Sequence, residues 1–350
     1  MTAIDNPLQA ILDHPLAGCA GGGALGYVGL DIPPDLLLAA PSGCCHLPWR
    51  VSQHTPVAEQ WLESTFPIWA RTVLEDWAAG RFDCFAQVVF TRGEDVSQRL
   101  YYYVCELQRL GKLAGPRPRI FDIARIERAS SQRYTESALR ALATELQLSS
   151  EQLRDGIVRA NELRALFAQW RVANRSSGSR YERLVRASLY ADVRPLGAGW
   201  EEAPPAFRGR LLLAGSSPPD DRIHRCVESR GWLVAQEYYG RDLCRLGEPV
   251  DPAAADPIAA IARGWLRQRF LIRDAAHSAA RLLERVSAAR ADAVLLWCAR
   301  EDEALVWQVP ALKRALQERG IASLILGARS WDFEDGAAEE VQAFLEGLRP

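Results

Sequence analysis

The sequence predicts an α/β protein: two doubly wound parallel sheets joined by a helical segment. Four short apolar runs in the C-terminal half carry most of this reading: 210–215 (RLLLAG), 231–236 (GWLVAQ), 293–298 (AVLLWC) and 321–326 (IASLIL). Strands that read as continuous apolar runs are covered on both faces, as in parallel sheets. Stretches with helical patterning separate or follow them at 221–230, 257–286, 309–319 and 337–348. Strands alternating with helices give crossover units with helices on both faces of a sheet.

The N-terminal half repeats the pattern less clearly. Residues 87–90 (QVVF) and 119–122 (RIFD) are strand-sized. Between them 97–110 has helical spacing, with Leu100, Val104, Leu107 and Leu110 on one face. Residues 61–79 also read as a helix. A largely helical stretch, 133–190, joins the halves. Ser149 and Gln152 are spaced as a capping box within it, and 174–179 (NRSSGS) interrupts it. The Gly- and Pro-rich 196–207 (LGAGWEEAPPAF) marks a boundary. The expected organisation is an N-terminal lobe over 1–132, a helical connection over 133–200 and a C-terminal lobe over 201–350.

Composition narrows the function. The chain has 350 residues, a length suited to two domains, and a net charge of −2. That charge gives no general attraction to nucleic acid or to anionic membrane. No run approaches the ~20 apolar residues of a membrane span. The opening MTAIDNPLQAILDHPL lacks a basic segment followed by an apolar one. A cytoplasmic protein is expected. The eight cysteines are scattered and include no Cys-x-x-Cys pair. Reduced core thiols are expected, with metal ligation by a few as the sharper alternative.

Several motifs admit both a functional and a plain structural reading. Gly21, Gly23 and Gly26 match the spacing of a dinucleotide fingerprint, but Pro15 and Gly18 precede them and Gly29, Pro33 and Pro34 follow, so a flexible segment is expected. Cys44, Cys45 and His46 place three potential ligands side by side, although adjacent residues rarely all reach one metal. Ser216 and Ser217 follow an apolar strand. The carboxyl ends of strands in open α/β sheets are where ligands bind, so these hydroxyls either contact substrate or cap the next helix. Cys298 ends another strand at the same kind of edge. It is either a ligand or a buried thiol, and Glu301, Asp302 and Glu303 just after it would raise its pKa. Tyr101, Tyr102 and Tyr103 lack the interleaved basic residues of a single-strand nucleic-acid surface.

The order of several segments resembles the 2-hydroxyacyl-CoA dehydratase / benzoyl-CoA reductase D-component family. Gly26-Tyr27 followed by 32–40 (IPPDLLLAA) is similar to that family's opening segment. Residues 66–83 (FPIWARTVLEDWAAGRFD) and 88–100 (VVFTRGEDVSQRL) resemble its paired blocks. Arg210 to Ser216 resembles its R-L-L-x-x-G-S strand, 293–320 its last cysteine block, and 339–348 (EEVQAFLEGL) its terminal helix. The resemblance implies two Rossmann-like lobes and a [4Fe–4S] cluster held by three cysteines. It also implies a homologous second subunit, an acyl-CoA substrate and an ATP-driven activator that donates single electrons. The reaction would be radical dehydration of a 2-hydroxyacyl-CoA or reduction of an aromatic acyl-CoA. Aligned so, the first ligand falls near Phe66 or Pro67 and the second at Glu94, which stands in place of a cysteine. Only Cys298 matches a ligand cysteine; Cys84 and Cys105 lie near the second block without aligning. Ser216, Ser217 and His46 are the expected substrate-binding residues. Two functions follow: a subunit of an acyl-CoA dehydratase or reductase complex, or a cluster-free, non-catalytic paralogue acting as scaffold or assembly partner.

Overall fold

The computed structural model describes the chain apart from residues 1–4, 125, 127, 173–175, 200–205, 244–246, 268–274 and 349–350. In chain order its elements are α1 (Asp5–Asp13), β1 (Ala24–Val28), α2 (Pro34–Leu37), β2 (Cys44–His46), α3 (Ile68–Ala78), β3 (Phe85–Thr91), α4 (Asp95–Arg109) and β4 (Arg117–Phe121). Next come α5 (Ala129–Glu145), α6 (Ser150–Val172), α7 (Gly178–Ala187), β5 (Gly209–Gly215), α8 (Arg222–Glu228), β6 (Trp232–Tyr238), α9 (Gly240–Leu243) and α10 (Pro257–Arg267). The last are α11 (Ala275–Ala289), β7 (Ala293–Ala299), α12 (Glu303–Val306), α13 (Val309–Glu318), β8 (Ala322–Arg329) and α14 (Ala337–Gly347).

Two compact units result. Unit 1 holds Met1–Leu166, Ala187–Gly197 and Cys244–Arg269, and unit 2 holds Phe167–Arg186, Ala198–Leu243 and Phe270–Pro350. Each contains a four-stranded, wholly parallel sheet, in the order β2-β1-β3-β4 and β6-β5-β7-β8. In both, the chain steps from an inner strand to one side and then to the other. The topology therefore reverses between β1 and β3, and again between β5 and β7, the places where sheets of this kind bind ligands. This is the expected α/β architecture. Among the described residues, no helix is long and apolar enough to cross a membrane.

In unit 1, Phe66, Trp77, Phe82, Phe90, Leu100 and Val104 form one core cluster with the inward residues of β1 and β3. In unit 2, Leu212, Val294 and Leu296 of the sheet meet Leu282 of α11 and Leu312 and Leu316 of α13. Helices α8 and α14 pack against each other and against β6 and β8.

Several details depart from the sequence reading. The segment expected to be flexible contains β1, an inner strand buried along its whole length. Gly26 hides it: a Cβ there would sit 2.8 Å from Val88 Cγ2 and 2.9 Å from Leu47 Cδ1, so the glycine serves packing. The short β2 beside it was likewise not foreseen. The helix expected over 61–79 starts only at Ile68, behind Pro67, whose fixed φ and missing N–H suit a helix start. Of the long helix expected over 257–286, the described parts are α10 and α11, and 268–274 lie outside the described residues. Leu110 lies past the end of α4 and is 49% exposed. The Ser149 capping box is present: Ser149 N–H donates to Gln152 Oε1 at 2.8 Å and Gln152 N–H donates to Ser149 Oγ at 3.1 Å. The interruption at 174–179 falls partly outside the described residues, and α7 begins at Gly178.

Candidate functional site

In unit 1 the carboxyl edge of the sheet carries His46 and Glu94. His46 ends β2, which pairs in parallel with β1. Its ring is buried, 5.0 Å from the Tyr27 ring and 5.5 Å from the Trp49 ring, both edge-on. Trp49 in turn meets Tyr190 at 6.2 Å. His46 Nδ1 lies 2.8 Å from the Leu47 carbonyl oxygen. A carbonyl only accepts, so Nδ1 carries a proton and donates to it. In the neutral ring Nε2 can then only accept, so it suits a hydroxyl or N–H donor of a ligand and not a carbonyl.

Glu94 takes the extended position just before α4, where its own carbonyl accepts from Gln98 N–H at 3.1 Å and its side chain makes no cap to the helix. The switch point beside it is tightly closed. Gly29 follows β1 with φ +88, and a Cβ there would lie 1.9 Å from Thr91 Oγ1 at the end of β3. Ser97 of α4 donates to the Val28 carbonyl at 3.2 Å. Only glycine permits this approach and this φ.

A buried ion pair anchors the opening segment that carried the family resemblance. Asp35 in α2 accepts from both terminal nitrogens of Arg164 of α6, at 2.9 and 2.5 Å, with both residues nearly inaccessible. Asn161 accepts from the same guanidinium at 2.8 Å and brackets Val250 through both its backbone N–H and its carbonyl. The bidentate geometry and the added bond to Asn161 offset the cost of taking these charges out of water. Sequence reasoning missed it because Asp35 and Arg164 are separated by 129 positions.

In unit 2 the switch point lies between β5 and β7, and Ser216 fills it. Its backbone N–H donates to the Trp297 carbonyl, its hydroxyl donates to Asp302 Oδ2 at 2.8 Å, and that hydroxyl accepts from Ala299 N–H at 2.9 Å. Gly215 before it has φ +114, and a Cβ there would strike the Trp297 carbonyl oxygen at 2.1 Å. Asp302 also caps α12. Ser216 therefore latches the two strand ends together. Ser217 accepts from Arg241 N–H at 3.2 Å, at the start of α9. Cys298 belongs to β7 and is fully buried in the core cluster with Leu212, Leu296, Leu312 and Leu316. Burial first, and then the Asp302 carboxylate, pushes its thiol up to about 12, so it is a neutral thiol at physiological pH.

Unit 2 also holds a charged cluster that the sequence reading did not single out. His224 of α8 lies 3.3 Å from Glu237 of β6, which pairs with Arg171 of α6 at 2.8 Å. Nearby, Glu182 of α7 accepts from Arg241 at 2.8 Å and pairs with Arg186 at 3.4 Å. A polar residue late in a strand that otherwise reads as apolar, as Glu237 is, was the available signal.

The family model for 2-hydroxyglutaryl-CoA dehydratase, D-component, matches residues 30–348. The chain belongs to that family. No curated protein matches it. Membership supports a dehydratase-type subunit, one component of a multi-subunit enzyme. The chain's own donors do not fit a four-iron cluster. Such clusters are held by cysteine thiolates. Near the first ligand position that the resemblance implies, at Phe66 or Pro67, the Phe66 ring is buried against Tyr103 and 4.3 Å from the Arg99 guanidinium. At the second stands Glu94, and at the third a buried neutral thiol. Among the described residues, no three His, Cys, Asp or Glu side chains are grouped as a metal would need.

Proposed function

We propose that this family member is a subunit of a 2-hydroxyacyl-CoA dehydratase- or benzoyl-CoA reductase-like complex in the cytoplasm, paired with a homologous subunit that holds the [4Fe–4S] cluster. The ligand positions implied by the resemblance carry this reading: they fall near Phe66 or Pro67, at Glu94 and at Cys298, so only one offers a cysteine. Radical chemistry, with single electrons from an ATP-driven activator, would then belong to the partner. The role of this chain is to bind acyl-CoA through His46 at the carboxyl edge of the unit 1 sheet; within unit 2, Ser217 is a separate candidate hydrogen-bonding group and Ser216 ties the ends of β5 and β7 together.

A second reading is a non-catalytic scaffold or assembly partner. Ser216 favours it, because its hydroxyl is already engaged by Asp302 and Ala299. Two measurements separate the readings. Protein purified without oxygen is expected to carry negligible iron and acid-labile sulfide; about four irons per chain would overturn the proposal. Equilibrium dialysis with acyl-CoA thioesters, in the presence of the cluster-bearing partner, is expected to show binding that His46→Ala weakens. No dependence on His46 or Ser217 would favour the scaffold.

A further inference from the structure

Each four-stranded parallel sheet ends in two edge strands: β2 and β4 in unit 1, β6 and β8 in unit 2. An edge strand presents a row of unpaired N–H and C=O groups that invites another strand. Folded proteins blunt such edges with proline, charge, shortness, a bulge or a covering segment. Three of the edges are blunted in this way. Strand β2 has three residues, and its His46 N–H donates to the Leu189 carbonyl at 2.8 Å. Strand β4 has five, among them Arg117, Pro118 and Arg119. Strand β6 packs against α8 and α11, and the start of α7 closes on it: a Cβ on Gly178 would fall 2.6 Å from the Val234 carbonyl oxygen.

The remaining edge, β8, is different. It has eight residues, more than any other described strand. From Gly320 to Ala328 the sequence is GIASLILGA, without proline or charge. Its register shift against β7 comes only after Leu326, so 322–326 form an unbroken edge. Helices α13 and α14 pack against it. Among the described residues, no backbone hydrogen bond reaches 322–328 from the side away from β7. Ala322 to Ile325 are accordingly only half-buried, whereas every residue of the inner neighbour β7 is buried.

We infer that β8 is a self-association edge: two copies of this chain pair β8 with β8, antiparallel, about a two-fold axis normal to the sheets, joining two four-stranded sheets into one of eight. Charge selects a second copy as the occupant. A two-fold axis sets each surface against its own image. The neutral run 320–328 opposes no like charges when it meets itself, whereas Arg117 and Arg119 of β4 would. The same axis lays α13 of one copy beside α13 of the other, running in opposite directions. Lys313 and Arg314 lie midway along that helix, Glu318 ends it, and all three are exposed. Glu318 of each copy therefore runs toward the basic middle of the other helix. On α14, Glu340 and Glu346 are already paired with Arg329 and Arg230. The inference concerns unit 2 alone and does not rest on the proposed acyl-CoA function.

Sedimentation equilibrium and hydrogen exchange on the full chain test it. The expected result is a reversible dimer of about twice 38.9 kDa, with amides in 322–326 gaining protection as the dimer forms. Ser323→Lys and Ser323→Glu each bring like charges together near the axis and are expected to shift association to higher concentration. Mixing these two variants is expected to restore a dimer holding one of each. Gly327→Lys, whose added side chain meets nothing within 4 Å in the single chain, is expected to weaken the dimer with the thermal transition unchanged. It keeps the test open should the Ser323 changes disturb folding. A monomer at every concentration, a dimer indifferent to Gly327→Lys with 322–326 exchanging freely, or a β8 edge that pairs only with a different subunit would overturn the inference.

Discussion

His224 shows how a single buried group sets a pH dependence. Burial opposes its charge, but the hydrogen bond to Glu237 and the negative fields of Glu237, Glu182 and Glu228 outweigh it, so its pKa is raised. The guanidinium of Arg171 on Glu237 does not reverse this direction. A raised native pKa means that the folded state binds the proton more tightly than the unfolded chain. The contribution is fully present below the ordinary histidine value of about 6.5. It is lost as pH rises through the higher native value. Thermal unfolding of the native chain and of His224→Gln across this range is expected to show the native advantage greatest on the acid side and shrinking as pH rises. An advantage that grows with pH would mean the ring is neutral in the folded protein. Cys298 follows the same physics in the opposite sense: burial and then the Asp302 carboxylate suppress its charged form and push the thiol up to about 12.

At the scale of elements, close approach decides more than propensity. Helix α6 crosses α2 at Gly156, where a Cβ would fall 2.3 Å from the Asp35 carbonyl oxygen and 2.8 Å from Ala39 Cβ. Backbone cannot rotate away as a side chain can. Gly156→Ala is therefore expected to cost about 1–3 kcal/mol despite alanine's better helix propensity. Gly21→Ala, with nothing within 4 Å, is expected to stay within about 0.5 kcal/mol of native. Urea unfolding of the two variants checks the contrast, and equal midpoints would refute it. The same physics explains what the sequence disclosed. The strands of unit 2 were legible because apolar runs such as 211–214 and 293–298 are continuous and lie between clear helical patterns. Strand β1 was not, because Gly26 answers a contact with Val88 and Leu47 that no local pattern records. For the site, the apolar runs placed Ser216 and Cys298 at strand ends, and the structure has them after β5 and near the end of β7. The hydrogen bonds that occupy Ser216, the burial of Cys298 and the pairing of Glu237 with His224 depend on partners far away in sequence, and periodicity carries no trace of them.

At the scale of the molecule, the two units interleave along the chain. Unit 1 draws on three separate segments, the last of which, Cys244–Arg269, follows β6 of unit 2. That segment supplies α10, which packs on α5. It also supplies Val250, whose N–H and carbonyl are both bound by Asn161, the residue that also accepts from Arg164 in the Asp35 pair. A chain ending at residue 200 would contain every strand of the first sheet but neither α10 nor Val250. Its α5 would expose an apolar face, and Asn161 would lose two backbone partners. Buried groups stripped of partners cost about 1–3 kcal/mol each, against a net stability of only about 5–15 kcal/mol for a typical protein. Residues 1–200 expressed alone are therefore expected to lack a cooperative thermal transition, and adding 244–269 through a flexible linker is expected to restore one. A sharp transition in the shorter fragment would show that the first sheet and its own helices suffice, and that the later segment only decorates a unit already folded.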